Sequence, residues 1–457
     1  MFRTKVIEHR ADENGQLSRC LTASDLTMLG IGAIIGAGIF VLTGVASATQ
    51  AGPAIVLSYL LAGIVCSFAA LSYAELASCF GGCGGAYSYA HAGMGELFAW
   101  LVGWDLLLEY GMDASTVSIG WSGYVQSALH ALGINLPQAL VNGPFDGGIV
   151  NLPAMLVIVA LAWILSLGVK ESARFNEVVV FIKLAVIALF IAIGIFYFKP
   201  ENWHPFFPFG VQGIVNGAGL IFFAYIGFDS VASAAEETIN PQKNLPLGIL
   251  LSLIICTIIY IMVAAVLIGM VKYPHLNVSS PVALALLNVG HRFAAEIIAF
   301  GAIAGLTTTI LAMYYGFTRV ALAMARDDLL PHFFAKIHVG SHTPRRLIWI
   351  MALIIALCAG FFPINHIASL VNMGTLAAFV AVCASVIILR ITKPNIHRPF
   401  RMPWSPLIPS LGIILCIYLM WSLSRVTWIG FGVWISLGLA IYFARYFYQS
   451  VCVTQQT

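Results

Sequence analysis

The sequence predicts an all-α integral membrane protein of twelve transmembrane helices, with the first and sixth broken at mid-depth and related as an inverted repeat. Three observations carry this. Only 9% of residues are charged and 60% are hydrophobic, with a mean hydropathy of +0.94, whereas soluble domains carry about 25% charged residues. Apolar stretches long enough to cross a hydrocarbon layer about 30 Å thick recur along nearly all of the 457 residues. Two of these stretches carry mid-span glycines, five spans apart, and paired interruptions of this kind are the sequence mark of inverted repeats.

The spans fall at 26–49, 53–77, 95–127, 152–169, 176–198, 213–238, 246–271, 294–323, 347–362, 366–390, 405–424 and 427–447. Residues 1–24 are polar and hold no cleavable apolar region, so no signal peptide is expected. Of the 22 Lys and Arg, four (Lys199, Lys272, Arg292, Arg425) fall outside on this topology, and Lys183 and Arg319 lie within spans. The remaining sixteen are then cytoplasmic, which places both termini in the cytoplasm by the positive-inside rule. The expected organisation is a cytoplasmic segment 1–24, a first repeat 25–199, a second 211–391, two further helices in 404–447 and a cytoplasmic tail 448–457.

The first break is expected in Gly30-Ile-Gly-Ala-Ile-Ile-Gly-Ala-Gly-Ile-Phe40, with four glycines in eleven residues. Glycine costs about 0.8–1 kcal/mol against alanine in a helix interior, so the run is suited to opening the backbone. The alternative is a small-residue packing face at Gly32-x3-Gly36. The second break is expected in Gly217 to Ser230, with Gly227 near mid-span and the carboxylate of Asp229 just beyond. A half-helix starting near Gly38 presents free N–H groups suited to a carboxylate. Half-helices ending at a break present carbonyls suited to an ammonium group. Two opposed breaks therefore match a zwitterion, and an α-amino acid is the simplest metabolite of that pattern.

Charges at membrane depth rarely persist without a role. Lys183 sits about a third of the way through the fifth span; it can carry a proton, stand in for a bound cation, or snorkel to the inner interface. Asp105, Glu109 and Asp113 recur every four residues, on one face of the third helix. They either line an aqueous route or serve as structural partners, with Glu109 nearest the middle. Thr307, Thr308 and Thr309 can complete a cation-like site or bond their own helix. Asp327, Asp328, His332, His338 and His342 are expected on a solvated cytoplasmic loop. The cysteines are expected to be packing residues, Cys79-x3-Cys83 with His91 to bind no metal, and Asn277-Val-Ser279 to be a chance sequon.

The glycine run resembles the first-helix signature of amino acid–polyamine–organocation permeases. Tyr73-Ala-Glu-Leu-Ala-Ser78 with Gly84-Gly-Ala-Tyr-Ser-Tyr89 resembles their second connection. Ile221 to Ser230, Glu236-Glu237, Asn240-Pro241-Gln242 and Leu370 to Leu376 are similar to the cationic amino acid transporter branch. The resemblance implies the five-plus-five inverted fold of leucine-transporter type. It also implies that Ile34, Gly36, Ala37 and Gly38 hold the substrate carboxylate, and that Phe223, Ala224 and Ile226 hold its amine, with Phe223 as gate. Proton coupling would fall to Lys183, Glu109, Asp229 and Thr308. Independently of the resemblance, Asp113, one helical turn outward from Glu109, is expected to face the substrate side chain and favour lysine, arginine or ornithine, with Leu306 as a second selectivity residue. Three departures stand out: Ala37 replaces a usual Ser or Thr, Gly81-Gly-Cys83 replaces a Pro-containing sequence, and Asp113 is outside the pattern.

The function expected is H⁺-coupled symport of small neutral or cationic L-amino acids across the cell membrane by alternating access. An amino acid exchanger and a non-transporting sensor are the alternatives. No enzyme is expected, since no nucleophile–base pair or metal-spaced set lies in the spans. No cofactor is expected either: the chain has no Gly-x4-Gly-Lys-Ser/Thr loop, which leaves the proton gradient as energy source. The expected partners are an L-amino acid, H⁺ and membrane lipids, with an accessory membrane subunit or a sterol left open and no nucleic acid.

Overall fold

Thr22 starts the first helix: its hydroxyl accepts from the Asp25 N–H, and the Asp25 carboxylate accepts from the Thr22 N–H in return, a reciprocal capping box. The computed structural model describes residues 19–80, 84–131, 133–278, 280–338, 340–362, 364–421, 423 and 425–454. Expectations for residues 1–18, Cys83, Ser279 and 455–457 lie outside them.

The principal helices are α1 (Ala23–Ile34), α2 (Ile55–Cys79), α3 (Glu96–Ala131), α4 (Leu152–Leu167), α5 (Val169–Phe196), α6 (Gly210–Ile221), α7 (Pro241–Met270), α8 (Arg292–Arg326), α9 (Arg345–Phe361), α10 (Ile364–Thr392), α11 (Leu407–Trp421) and α12 (Arg425–Thr454). Among the described residues no strand forms, and only two isolated bridges pair extended backbone. Among the described residues, seven helical stretches are long and apolar enough to cross a membrane, and α1, α4 and α11 are shorter apolar helices. With lipid unable to satisfy backbone polar groups, helices are the expected solution for such sequence.

The core lies where α1 packs against α5, α7 and α8, where α2 packs on α7, and where α3 packs on α8 and α10. α12 docks on the outside of α3 through stacked indoles: the Trp104 and Trp434 rings are 4.5 Å apart. Trp104 donates to the Trp434 carbonyl, Trp434 to the Trp104 carbonyl and Trp100 to the Gly438 carbonyl, so the buried indole N–H groups are satisfied. Large apolar side chains such as Leu156, Trp163, Val178, Phe181, Leu353 and Val433 point outward. That outer surface suits hydrocarbon.

Asp327 departs from the solvated role expected of it. It accepts a hydrogen bond from Tyr87 at 2.8 Å and lies 3.5 Å from His91 Nδ1. It thereby ties the end of α8 to the short helix Ala86–Met94 that precedes α3.

Candidate functional site

The first break begins at Ile35, which leaves helical geometry (φ −77°, ψ 92°). Winding resumes as a π-helical turn over Gly38–Leu42 and a short α-helix over Thr43–Ala46. The last carbonyls of a helix have no donor of their own, and here Lys183 of α5 supplies one. Its Nζ donates to Ile31 O and Gly32 O at 3.0 Å and Ile35 O at 3.1 Å, with Thr308 Oγ1 at 2.9 Å. Thr309 Oγ1 donates to Gly32 O at 3.2 Å.

Lys183 is fully buried. A buried ammonium group is tolerable only when such oxygens replace its water shell. The side chain turns into the protein rather than to the interface, which leaves out snorkelling.

The glycine run serves two purposes rather than one. Gly30 and Gly32 lie inside the regular helix α1, and only Gly36 falls within the break. What all four share is close approach to different neighbours. A Cβ would lie 2.4 Å from Ser252 Oγ at Gly30, 2.5 Å from Asn176 Oδ1 at Gly32, and 2.6 Å from Thr309 Oγ1 at Gly36. At Gly38 it would lie 2.3 Å from Ala224 Cβ and 2.6 Å from Ala224 Cα. Both sequence readings therefore hold: Gly32 and Gly36 pack closely against neighbours, and Gly36 also lies in the break.

Ala224 belongs to the second break. After α6 the chain tightens into a 3₁₀ turn over Phe222–Tyr225, passes Gly227 at φ +118°, and continues as 3₁₀ winding over Phe228–Glu237. Gly227 adopts a backbone region that L side chains rarely enter, and a Cβ there would sit 2.8 Å from Ala33 Cβ. The two breaks thus rest on each other. Tyr260 of α7 joins them: its hydroxyl lies 2.6 Å from Ile34 O and 2.8 Å from Ala224 O. The Tyr260 ring packs tilted against Tyr59 and edge-on against Tyr225, at 5.2 and 5.4 Å, and Tyr59 Oη reaches Thr43 Oγ1 at 2.7 Å. Sequence reasoning passed over Tyr260, because a tyrosine in an apolar span gives no signal of its own.

Above the breaks is a cavity of about 940 Å³ that touches both, at Ala37 and Phe223. It extends past Val41 and Leu42 to Gln50 and Gln212, at the end of the molecule opposite Thr22. No Asp, Glu, Lys or Arg lines it among the described residues. Ile34, Gly36, Gly38, Ala224, Ile226 and Leu306 are buried behind the lining.

Glu109 is fully buried on α3, and neither carboxylate oxygen has a hydrogen-bond partner. Asp105 lies one turn below it, and a Cβ on Gly374 would come within 2.8 Å of Asp105 Oδ1, so α10 passes close to this face. Asp229 accepts from Tyr110 Oη. Asp113 is buried one turn below Thr116 and Val117, which line the cavity, and is not itself a lining residue.

The end of the molecule near Thr22 is closed. Leu21 N–H donates to Glu237 O at 2.9 Å and Ile239 N–H to Leu21 O at 2.8 Å, pairing the chain before the first broken helix with the chain after the second. Arg319 of α8 donates through Nε at 3.1 Å and Nη2 at 2.8 Å to Glu237 Oε1, while Tyr315 donates to Glu237 Oε2. Arg326 pairs with Glu236 at 2.5 Å, and Glu75 accepts from Arg390 at 2.5 Å. Arg319, only 2% exposed, was visible in the sequence as an intramembrane charge without an assigned role.

Removing one partner of a buried pair strands the other charge and typically costs about 3–5 kcal/mol. Arg319→Met is therefore expected to lower the melting temperature in detergent sharply, and the double variant Arg319→Met/Glu237→Met to recover part of the loss. Equal melting of wild type and Arg319→Met would show that the pair contributes no stability.

Two broken helices packed against each other beneath a cavity of ligand size define a candidate small-molecule site within a helical membrane protein. The amino acid permease family model matches residues 21–444. The chain is 48% identical over 447 residues to the methylthioribose transporter of Bacillus subtilis (strain 168), covering 97% of each chain. It is 47% identical to the branched-chain amino acid permease BcaP of the same organism, again over 97% of each chain. It is also 37% identical to the vacuolar cationic amino acid transporter 4 of Arabidopsis thaliana, over 83% of this chain and 64% of that one. The chain belongs to the amino acid permease family, within the amino acid–polyamine–organocation superfamily. These relatives are transporters rather than enzymes, and the chain is a multi-pass membrane protein.

Proposed function

We propose that this protein is an H⁺-coupled symporter of neutral L-amino acids with short or branched apolar side chains, working by alternating access in the plasma membrane. The observation that carries the reading is the Lys183 ammonium group seated on the Ile31, Gly32 and Ile35 carbonyls at the first break. A residue that gains and loses a proton there stabilises and releases the broken helix in turn. The substrate carboxylate would take the N–H groups around Ile34, Gly36, Ala37 and Gly38, and its amine the carbonyl side at Phe223, Ala224 and Ile226, with Phe223 closing over it. Glu109, Asp229 and Thr308 would share the proton route with Lys183.

The topology proposed is twelve spans in a five-plus-five inverted repeat, residues 25–199 and 211–391, with 404–447 appended and both termini cytoplasmic. The cavity then faces outward, and the Glu237–Arg319 contact closes the inner side. A lining with no acidic side chain favours neutral over cationic substrates. It leaves Asp113 and Leu306 to shape the pocket from behind.

Purified protein in liposomes with labelled L-leucine tests this. An inward acid gradient is expected to raise the initial rate and drive accumulation, and L-arginine to compete poorly. Uptake that needs internal amino acid and ignores the gradient would identify an exchanger instead. Uptake of 5-methylthioribose with no amino acid uptake would replace the substrate class.

A further inference from the structure

The cavity wall contributed by α3 and α10 carries two polar side chains that the fold leaves unsatisfied. Thr116 is 5% exposed, lines the cavity, and its Oγ1 has no hydrogen-bond partner. Hydroxyls in membrane helices ordinarily bond the carbonyl three or four residues back, and those nearby do so. Ser115 donates to Gly111 O at 2.8 Å, Ser118 to Ser115 O at 2.8 Å, Thr307 to Ile303 O at 2.8 Å and Thr375 to Val371 O at 3.0 Å. Thr116 forgoes that bond. On the packed neighbour α10, Asn372 also lines the cavity, and its buried Oδ1 is likewise without a partner. A buried polar group left unpaired is costly, and native structures leave few of them without a reason. Beside Thr116 this wall carries Val117, Gly120, Gly123 and Tyr124.

We propose that Thr116 and Asn372 form a side-chain subsite that recognises a hydroxyl group on the substrate, so that a β-hydroxy amino acid is taken in preference to its apolar isostere. The chemistry is complementary: the Asn372 carboxamide oxygen accepts the substrate O–H, and the Thr116 hydroxyl donates to its oxygen. L-Threonine and L-valine differ by a hydroxyl in place of a methyl group at nearly equal volume, so the pair isolates this contact. The inference rests on the amino acid reading above and narrows it.

The test is competition by L-threonine and L-valine against labelled L-leucine uptake in liposomes, for wild type, Thr116→Val, Thr116→Ser and Asn372→Leu. Wild type is expected to bind threonine more tightly than valine. Thr116→Val and Asn372→Leu are each expected to lower the threonine-to-valine affinity ratio about two- to tenfold, the worth of one net hydrogen bond, while Thr116→Ser retains it. A ratio unmoved by Thr116→Val or Asn372→Leu, or a ratio lost equally in Thr116→Ser, would overturn the subsite while leaving leucine transport intact. Absence of leucine, threonine and valine uptake by wild type would instead overturn the amino acid reading itself. Where a variant transports too slowly, stabilisation of the purified protein against heat by each amino acid reads the same ratio.

Discussion

Lys183→Ala is expected to abolish accumulation of substrate driven by an inward acid gradient. The variant loses the donor to Ile31 O, Gly32 O and Ile35 O together. A hydrogen bond to a charged group contributes about 1.5–3 kcal/mol, so even one lost contact changes the equilibrium between broken-helix positions by tenfold or more. Lys183→Arg is expected to fail as well, because a planar guanidinium directs its donors in a fixed fork, whereas these acceptors surround a point. Initial rates and plateau levels of leucine uptake, with and without the gradient, measure both. An undiminished gradient response in folded Lys183→Ala would remove Lys183 from the coupling mechanism.

The second large effect is expected at Gly38. A methyl group there would lie 2.3 Å from Ala224 Cβ and 2.6 Å from Ala224 Cα, whereas carbon atoms in contact sit about 3.5–4.0 Å apart. Gly38→Ala therefore forces the two breaks apart by more than an ångström, and overpacking of this kind costs about 1–3 kcal/mol. The displaced backbone also carries the groups proposed to hold substrate, so uptake is expected to fall below detection while the protein still folds. Ala224→Gly removes the nearer clash and is expected to restore part of the activity in the double variant. Wild-type uptake by Gly38→Ala, with an unchanged melting temperature, would show that the breaks do not need this contact. Gly227→Ala is expected to be harmful for a different reason, since its φ of +118° strains any side chain.

Much of this was legible in the sequence because it depends on properties a chain carries locally. Hydrophobic length marks the membrane segments, and glycines in an apolar run mark where a helix can open or another backbone can approach. A lysine in the middle of Val178 to Phe190 marks a group that needs partners. What the run could not reveal was the division of labour among its glycines. Gly30 and Gly32 read like Gly36 in one dimension, yet they sit in intact helix and face Ser252 and Asn176. Likewise the loop reading of Asp327 followed from its polar neighbours, while its contacts with Tyr87 and His91 come from a segment 240 residues earlier in the case of Tyr87. Thr116 was hidden among the many threonines whose hydroxyls bond their own helix.

By itself, the sequence determined that this chain is helical and membrane-embedded, that its first and sixth apolar segments are unfit to remain regular, and that Lys183, Glu109 and Asp229 stand in apolar surroundings. These follow from composition and periodicity, which act through solvent and backbone and need no distant partner. The tertiary structure alone decided what the freed groups meet. Lys183 reaches Ile31 O across 152 positions, Thr308 reaches Gly32 O across 276, and Tyr260 reaches Ile34 O across 226. Hydrogen bonds act over about 3 Å, so which donor meets which carbonyl is settled only when those helices pack.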